Sequence, residues 1–302
     1  MKINLHNHSS LSDGKPSPEE IVQSAIKGGL THVAITDHFA SSKLDVRGVD
    51  RENIAAYAAE VKALAGKYAG RIQVLSGVEV DFCPARTDFG IFRPPTPDAS
   101  AFRVLDLVLF EYVGDSEWEG ASLEELVGLR AGIPCPVGLA HCRFERTFAG
   151  FMPQTVVSIL EQHKLFLELC PSERNAVMVP ADPGMDVAKT QKQLQALHKQ
   201  METLSHKLAA APNDAYLLGL HKEIDEHTEA IYKRFKKVPA YRLAGRFTRD
   251  LFARLRGRNV ALSIGTDTHD SADEVAQIGD AVKFIEEQML QRSVITNFYW
   301  KS

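Results

Sequence analysis

Short, continuous apolar runs alternate along the chain with longer stretches whose apolar positions fall at helical spacing. Residues 2–5, His32–Ile35, 72–75 (running on into Gly77-Val78-Glu79-Val80), 104–110, 136–139, Leu165–Leu169 and 260–264 have the pattern of strands covered on both faces. Between them, Pro18–Lys27, 51–67, 122–130, Pro153–Gln162, 246–256 and 272–288 read as helices. Ser17 with the acidic pair Glu19/Glu20 opens the first of these, and Ser122 with Glu125 makes a capping box for another. The proline-rich residues 85–100 read as a loop. Seven strands, each followed by a helix, predict a parallel α/β architecture.

One stretch breaks the alternation. Residues 185–238 are rich in Lys, Gln, Glu and His and lose strand character. Leu194, Leu197, Met201, Leu204 and Leu208 recur at steps of three and four, and Leu217, Leu220, Ile224 and Ile231 make a second seam after Pro212-Asn213-Asp214. The pair predicts an antiparallel, coiled-coil-like helical hairpin inserted between the sixth and seventh strands of a single domain spanning 1–302. His198, His206, His221 and His227 lie on it without acidic partners and read as solvated or seam histidines.

The ionisable residues have a pattern of their own. His6/His8, Asp37/His38, Glu79, Glu111, His141 and Asp267/His269 all follow or close a predicted strand. In a closed βα barrel those ends converge on one face, which carries the active site. His6 and His8 point the same way because strand side chains alternate, and paired imidazoles can grip one metal ion. Asp13, in a polar turn closed by Gly14, is within reach of the same cleft. Asp37 reads as a partner that orients His38. Cys142, next to His141, should face the other way and pack.

Bulk properties narrow the alternatives. At 302 residues the chain can bury a large core, and its formal net charge of −4 implies no general attraction to nucleic acid or anionic membrane. Basic residues are not interleaved with aromatics in a nucleic-acid-binding pattern. No apolar run is long enough to span a bilayer, and the first residues read as a strand rather than a signal peptide, so a cytoplasmic protein is expected. Cys83, Cys135, Cys142 and Cys170 lack a CxxC spacing and are expected to be reduced thiols.

Five motifs then carry a resemblance. Asn4-Leu5-His6-Asn7-His8 with Ser12-Asp13-Gly14, Thr36-Asp37-His38, Gly77-Val78-Glu79, Ala140-His141 and Gly265-Thr266-Asp267-Thr268-His269 resemble, in order, the motifs of the PHP (polymerase and histidinol phosphatase) family. The region 57–82 is most similar to the histidinol-phosphate phosphatase branch. The resemblance implies a distorted (β/α)7 barrel with two or three divalent metals, zinc, manganese or iron, at its mouth. It places His6, His8, Glu79 and Asp267 on one metal, has Glu79 bridge to a second that takes His141, and puts Asp13, His38 and His269 on the third. Where the family strand corresponding to 104–110 ends in a ligand histidine, this chain has Glu111. Either Glu111 substitutes as an oxygen ligand, or the second metal has one protein ligand fewer.

The expected activity is that of a metal-dependent phosphoesterase. A metal-activated water attacks a small phosphorylated metabolite, with no protein nucleophile. Arg143, Arg146 and Arg174 follow strand ends and are the candidates for holding phosphate, since guanidinium forks match its oxygens. Hydrolysis of an amide or phosphodiester on the same barrel, or a non-catalytic accessory module, are the competing readings. The hairpin is a candidate homodimer contact.

Overall fold

The computed structural model describes residues 2–40, 42, 48–92, 102–243 and 245–295. Two compact units are resolved within it: Met1–Asn175 with Pro239–Ser302, and Ala176–Val238.

In chain order the larger unit begins with β1 (Ile3–Asn4), α1 (Pro18–Lys27), β2 (His32–Ile35), β3 (His38–Phe39), α2 (Ile54–Lys67) and β4 (Gln73–Asp81). It continues with β5 (Leu107–Glu111), α3 (Leu123–Arg130), β6 (Val137–Leu139), α4 (Phe144–Thr147), α5 (Pro153–Gln162) and β7 (Leu165–Leu169). The second unit supplies β8 (Val177–Pro180), α6 (Val187–Ala210), α7 (Ala215–Tyr232) and β9 (Phe235–Val238). The chain then returns to the first unit with α8 (Arg246–Leu255), β10 (Leu262–Ile264) and α9 (Gly279–Glu287).

Seven parallel strands run in the order β1-β2-β4-β5-β6-β7-β10, with the two-residue β3 pairing onto the end of β4. This is a nearly closed α/β barrel: the alternation predicts its parallel α/β arrangement, and the resemblance its seven-stranded barrel form. Its seam closes just beyond the strands. Leu5 N donates to Ile264 O at 2.7 Å, Asp267 N to His6 O at 3.0 Å and His8 N to Thr268 O at 2.9 Å. Ile3, Leu5, Val33, Val78, Leu109, Leu167 and Ile264 are fully buried along the strands, and α1, α5 and α8 cover the barrel with Ile21, Val22, Val156, Leu160, Leu251 and Phe252. Such apolar burial is the main force holding the layers together.

Local departures from the sequence reading have local causes. The helix read from residue 51 starts at Ile54, because the Asp50 carboxylate accepts from Glu52 N and Asn53 N and holds a turn first. The last helical stretch is split: Ser271 caps a 3₁₀ turn, Ala272–Ala276, before α9. The strand read over 72–80 is continuous, β4 running from Gln73 through Gly77 to Asp81. Gly77 is required there, since a Cβ would lie 2.9 Å from both Leu107 and Thr36. The loop residues 93–100 lie outside those described.

In the second unit β8 and β9 form an antiparallel ribbon, which the sequence did not announce because its side chains are half-exposed with no clear alternation. The ribbon extends the non-barrel stretch back to residue 176, ahead of 185. Asp186 caps α6 through Lys189 N, and Asp214 caps α7 through Tyr216 N and Leu217 N. Leu204 and Ile224 are buried, and the Tyr232 hydroxyl lies 3.1 Å from His198 Nε2.

Candidate metal centre

The barrel mouth is built on a buried polar seam. Asn4 Nδ2 donates to Asn7 Oδ1 (2.9 Å), Thr266 Oγ1 (2.7 Å) and Val275 O (2.9 Å). The Thr268 hydroxyl donates to Asn7 Oδ1 at 2.9 Å. These bonds tie the segment after β1 to the segment after β10 where no ladder joins the strands, and satisfied buried networks rigidify. His6 and His8 leave one side of this seam, Asp267 and His269 the other. Asp267 and His141 both sit in left-handed backbone, at φ 50° and 26°. Non-glycine residues there cost on the order of 1–3 kcal/mol and are characteristic of functional sites.

Three groups of donors converge, each with its ligand atoms within 4.8 Å of one another: His6, Glu79, His141 and Asp267; His8, Asp13, His38 and His269; and His38, Glu79 and Glu111. All eight residues read from the motifs come together, and Glu111 joins them. The partition differs from that implied by the family motifs. His141 falls with His6, and His8 with Asp13. His8 faces both neighbourhoods, its Nε2 lying 3.2 Å from Glu79 Oε2 and Asp267 Oδ1, and its Nδ1 3.5 Å from Asp13 Oδ1. Glu79 is the hub. Its oxygens lie 3.0 to 3.3 Å from nitrogens of His6, His8, His38 and His141.

The electrostatics of the groups follow from this packing. Burial pulls the His6 imidazole down, but the carboxylates of Glu168, Glu79 and Asp267 outweigh it and hold His6 well above its ordinary value. His8 is raised against burial by Asp13, Asp267 and Glu79, and His141 by Glu79 and Asp267. Burial lifts Glu79 and Asp267, yet the facing imidazoles leave both well below the usual carboxylate range. The donor set fits divalent cations. Mixed imidazole and carboxylate groups are their usual ligands. His6 Nε2 and His8 Nε2 also face each other at 3.0 Å, and the buried His8 Nδ1 makes no hydrogen bond among the described residues.

A cavity of about 310 Å³ opens from these donors. Its wall includes Tyr112, Trp118, Arg143, Arg174 and Asn175. Tyr112 and Trp118 stack with ring centroids 5.0 Å apart. Arg143 is ion-paired to Glu117 at 2.5 Å, and Arg174 donates to Asp270 Oδ2 at 2.7 Å. Arg146 pairs with Glu117 and does not line the cavity.

One expectation changes. Asp37 does not orient His38: its carboxylate accepts from Ser9 N (2.7 Å), Ser9 Oγ (2.8 Å) and Ser12 Oγ (2.6 Å), pinning the turn that carries Asp13. Cys142 is buried and enters none of the donor groups, as expected of a packing thiol, although it also borders the cavity. Two functional neighbours escaped the sequence reading. Asn175 donates to Asp267 Oδ2 at 2.7 Å. Glu168 accepts from His6 and from the backbone of His141. The signal for Glu168 was a carboxylate inside the otherwise apolar run Leu165-Phe-Leu-Glu168-Leu.

A PHP domain profile matches residues 4–244, most of the chain. The chain belongs to the PHP domain family. Over 87 residues this PHP chain is also 37% identical to the DNA polymerase/3'-5' exonuclease PolX of Bacillus subtilis (strain 168), a match covering 29% of the chain and 15% of that relative. Among solved structures it is similar to histidinol phosphate phosphatase from Lactococcus lactis subsp. lactis, with 15% identity, a TM-score of 0.48, and 95% and 93% of the two chains covered. That structure is a complex with zinc, L-histidinol and phosphate. A two-domain protein from Bacteroides vulgatus containing a predicted PHP-like metal-dependent phosphoesterase aligns with 17% identity and a TM-score of 0.33, over 55% of this chain and 50% of that one.

Proposed function

We propose that this PHP-family chain is a metal-dependent phosphoesterase that hydrolyses a small phosphorylated metabolite. The observation that carries the reading is the convergence of three donor groups, sharing Glu79 and His38, on one cavity whose wall also presents two arginines. His6, Glu79, His141 and Asp267 would hold one ion, His8, Asp13, His38 and His269 a second, and His38, Glu79 and Glu111 a third. Two or three divalent ions, zinc, manganese or iron, supply Lewis-acid chemistry for phosphoryl displacement when bound.

The chain's own residues do the rest. Arg143 and Arg174 orient the phosphate, each exchanging its present carboxylate for phosphate oxygens. Glu117 and Asp270 hold the two guanidinium groups in place before substrate arrives. The stacked face of Tyr112 and Trp118 borders the space left for the organic part of the substrate. Burial pushes the Cys142 thiol up, so it stays protonated and is a poor nucleophile.

The test is turnover on a panel of phosphoesters, histidinol phosphate included, with protein stripped of metal and reloaded with manganese or zinc. Activity should depend on reloading. Asp267→Ala removes a carboxylate that faces His6, His8 and His269, and should lower turnover by at least about 100-fold. A fully metallated protein that hydrolyses no phosphomonoester, but cleaves an amide or a phosphodiester, would overturn the reading.

A further inference from the structure

We propose that Glu168 is a positioning residue that sets two metal ligands at once, and that Gly265 is glycine to make room for it. The proposal rests on the metal-centre reading above. Glu168 belongs to none of the donor groups, yet its side chain is fully buried at the bottom of the site. His6 Nδ1 lies 2.9 Å from its Oε1 and 3.2 Å from its Oε2, while His141 N donates to Oε2 at 2.6 Å.

The two bonds fix two different things. A carboxylate accepts only, so the proton of neutral His6 is placed on Nδ1 and the lone pair on Nε2. Nε2 is the atom that faces Glu79 Oε1 (3.3 Å) and Asp267 Oδ1 (3.4 Å). The bond to His141 N anchors a residue held in left-handed backbone, and so sets the direction in which its imidazole meets Glu79. His6 and His141 follow different strands but fall in the same donor group, so one carboxylate on a third strand organises half of that group's ligands.

Gly265 supplies independent support. A Cβ there would stand 1.9 Å from Glu168 Oε1 and 2.3 Å from His6 Cβ. Both neighbours are locked in the core, so the glycine is a steric vacancy that the Glu168–His6 pair fills.

Glutamine is nearly isosteric with glutamate but offers one acceptor and one donor. Glu168→Gln therefore cannot accept from both N–H groups, and one of them must face an NH₂. The experiment measures site-resolved metal binding, by calorimetry and by anomalous scattering from crystals soaked in manganese or zinc, for the wild type, Glu168→Gln and Gly265→Ala. The His6 Nδ1–H is followed in ¹H–¹⁵N spectra of the metal-loaded proteins. Both variants should weaken the ion held by His6, Glu79, His141 and Asp267 by about 10- to 100-fold. The ion held by His8, Asp13, His38 and His269 should keep its affinity, and the protected Nδ1–H signal of wild type should be lost or shifted in both variants. Metal-binding wild type, with both variants unchanged in affinity and in that signal, would overturn the role of Glu168 alone. Equal weakening at all sites would also overturn it, because it would mark a general folding defect. Wild type that binds no metal would instead defeat the metal-centre reading beneath it.

Discussion

At the scale of single residues, buried imidazoles and carboxylates neutralise one another whenever no cation does so. His6, His8 and His141 have raised folded values, so the stability they contribute is fully present below about pH 6.5 and is lost as pH rises through those values. Glu79 and Asp267 have lowered values, so their contribution is present above about pH 4.5 and lost as pH falls. Metal-stripped protein should therefore be most stable near pH 5–6 and melt at falling temperature toward pH 9. Bound metal needs neutral imidazoles and releases their protons, so saturating manganese or zinc should abolish that alkaline decline. Thermal melts from pH 5 to 9, with chelator and with metal, measure both arms. An alkaline decline that persists unchanged in saturating metal would contradict the account.

Most of the ligand residues were legible because they combine a chemical type with a place: histidine or carboxylate after an apolar run. Glu168 was missed and Asp37 misread, because neither follows that rule. Glu168 sits within its run rather than after it, so nothing in the pattern separates it from a satisfied core carboxylate. Asp37 adjoins His38 in the chain, but the carboxylate reaches across to the Ser9–Ser12 turn, and that reach depends on β2 pairing beside β1.

At the scale of elements, the loop between β5 and α3 is a tightly specified part of the site's rim. Asp115 caps its short 3₁₀ turn, Gly114 N donates to Ala121 O at 2.7 Å, and a Cβ on Gly120 would stand 1.7 Å from Tyr112 O. Gly128, in the middle of α3, meets nothing within 4 Å. Gly120→Ala should therefore destabilise by about 1–3 kcal/mol through overpacking, whereas Gly128→Ala should stabilise by about 0.5–1 kcal/mol through helix propensity. Urea unfolding of the two variants distinguishes them, and equal effects would show that the loop yields freely.

Helices and strands of the barrel could be read because both periodicities were clear and the caps were conventional; Ser17 and Glu20, for instance, form a reciprocal capping box on α1. The β8–β9 ribbon could not. Its four-residue strands expose Lys236, Lys237 and Met178 and bury little, so their pairing depends on the chain being brought together at both ends of the helix pair.

At the scale of the molecule, the order of strands around the barrel decides which residues meet. The first and last strands are neighbours only through the closing seam, and that contact brings His6 and His8 to Asp267 and His269 from opposite ends of the chain. Motif order in the sequence announces such a convergence without announcing which donors share an ion. That division is a matter of ångströms, with His8 facing two neighbourhoods and Glu111 standing 3.8 Å from His38. The central claim is that these residues form a multinuclear metal centre. Anomalous scattering at the manganese and zinc edges from crystals of metal-loaded protein tests it most directly. The account predicts two or three peaks within this constellation, one of them among His38, Glu79 and Glu111 at full complement; the absence of any peak near Glu79 at saturating metal would contradict it.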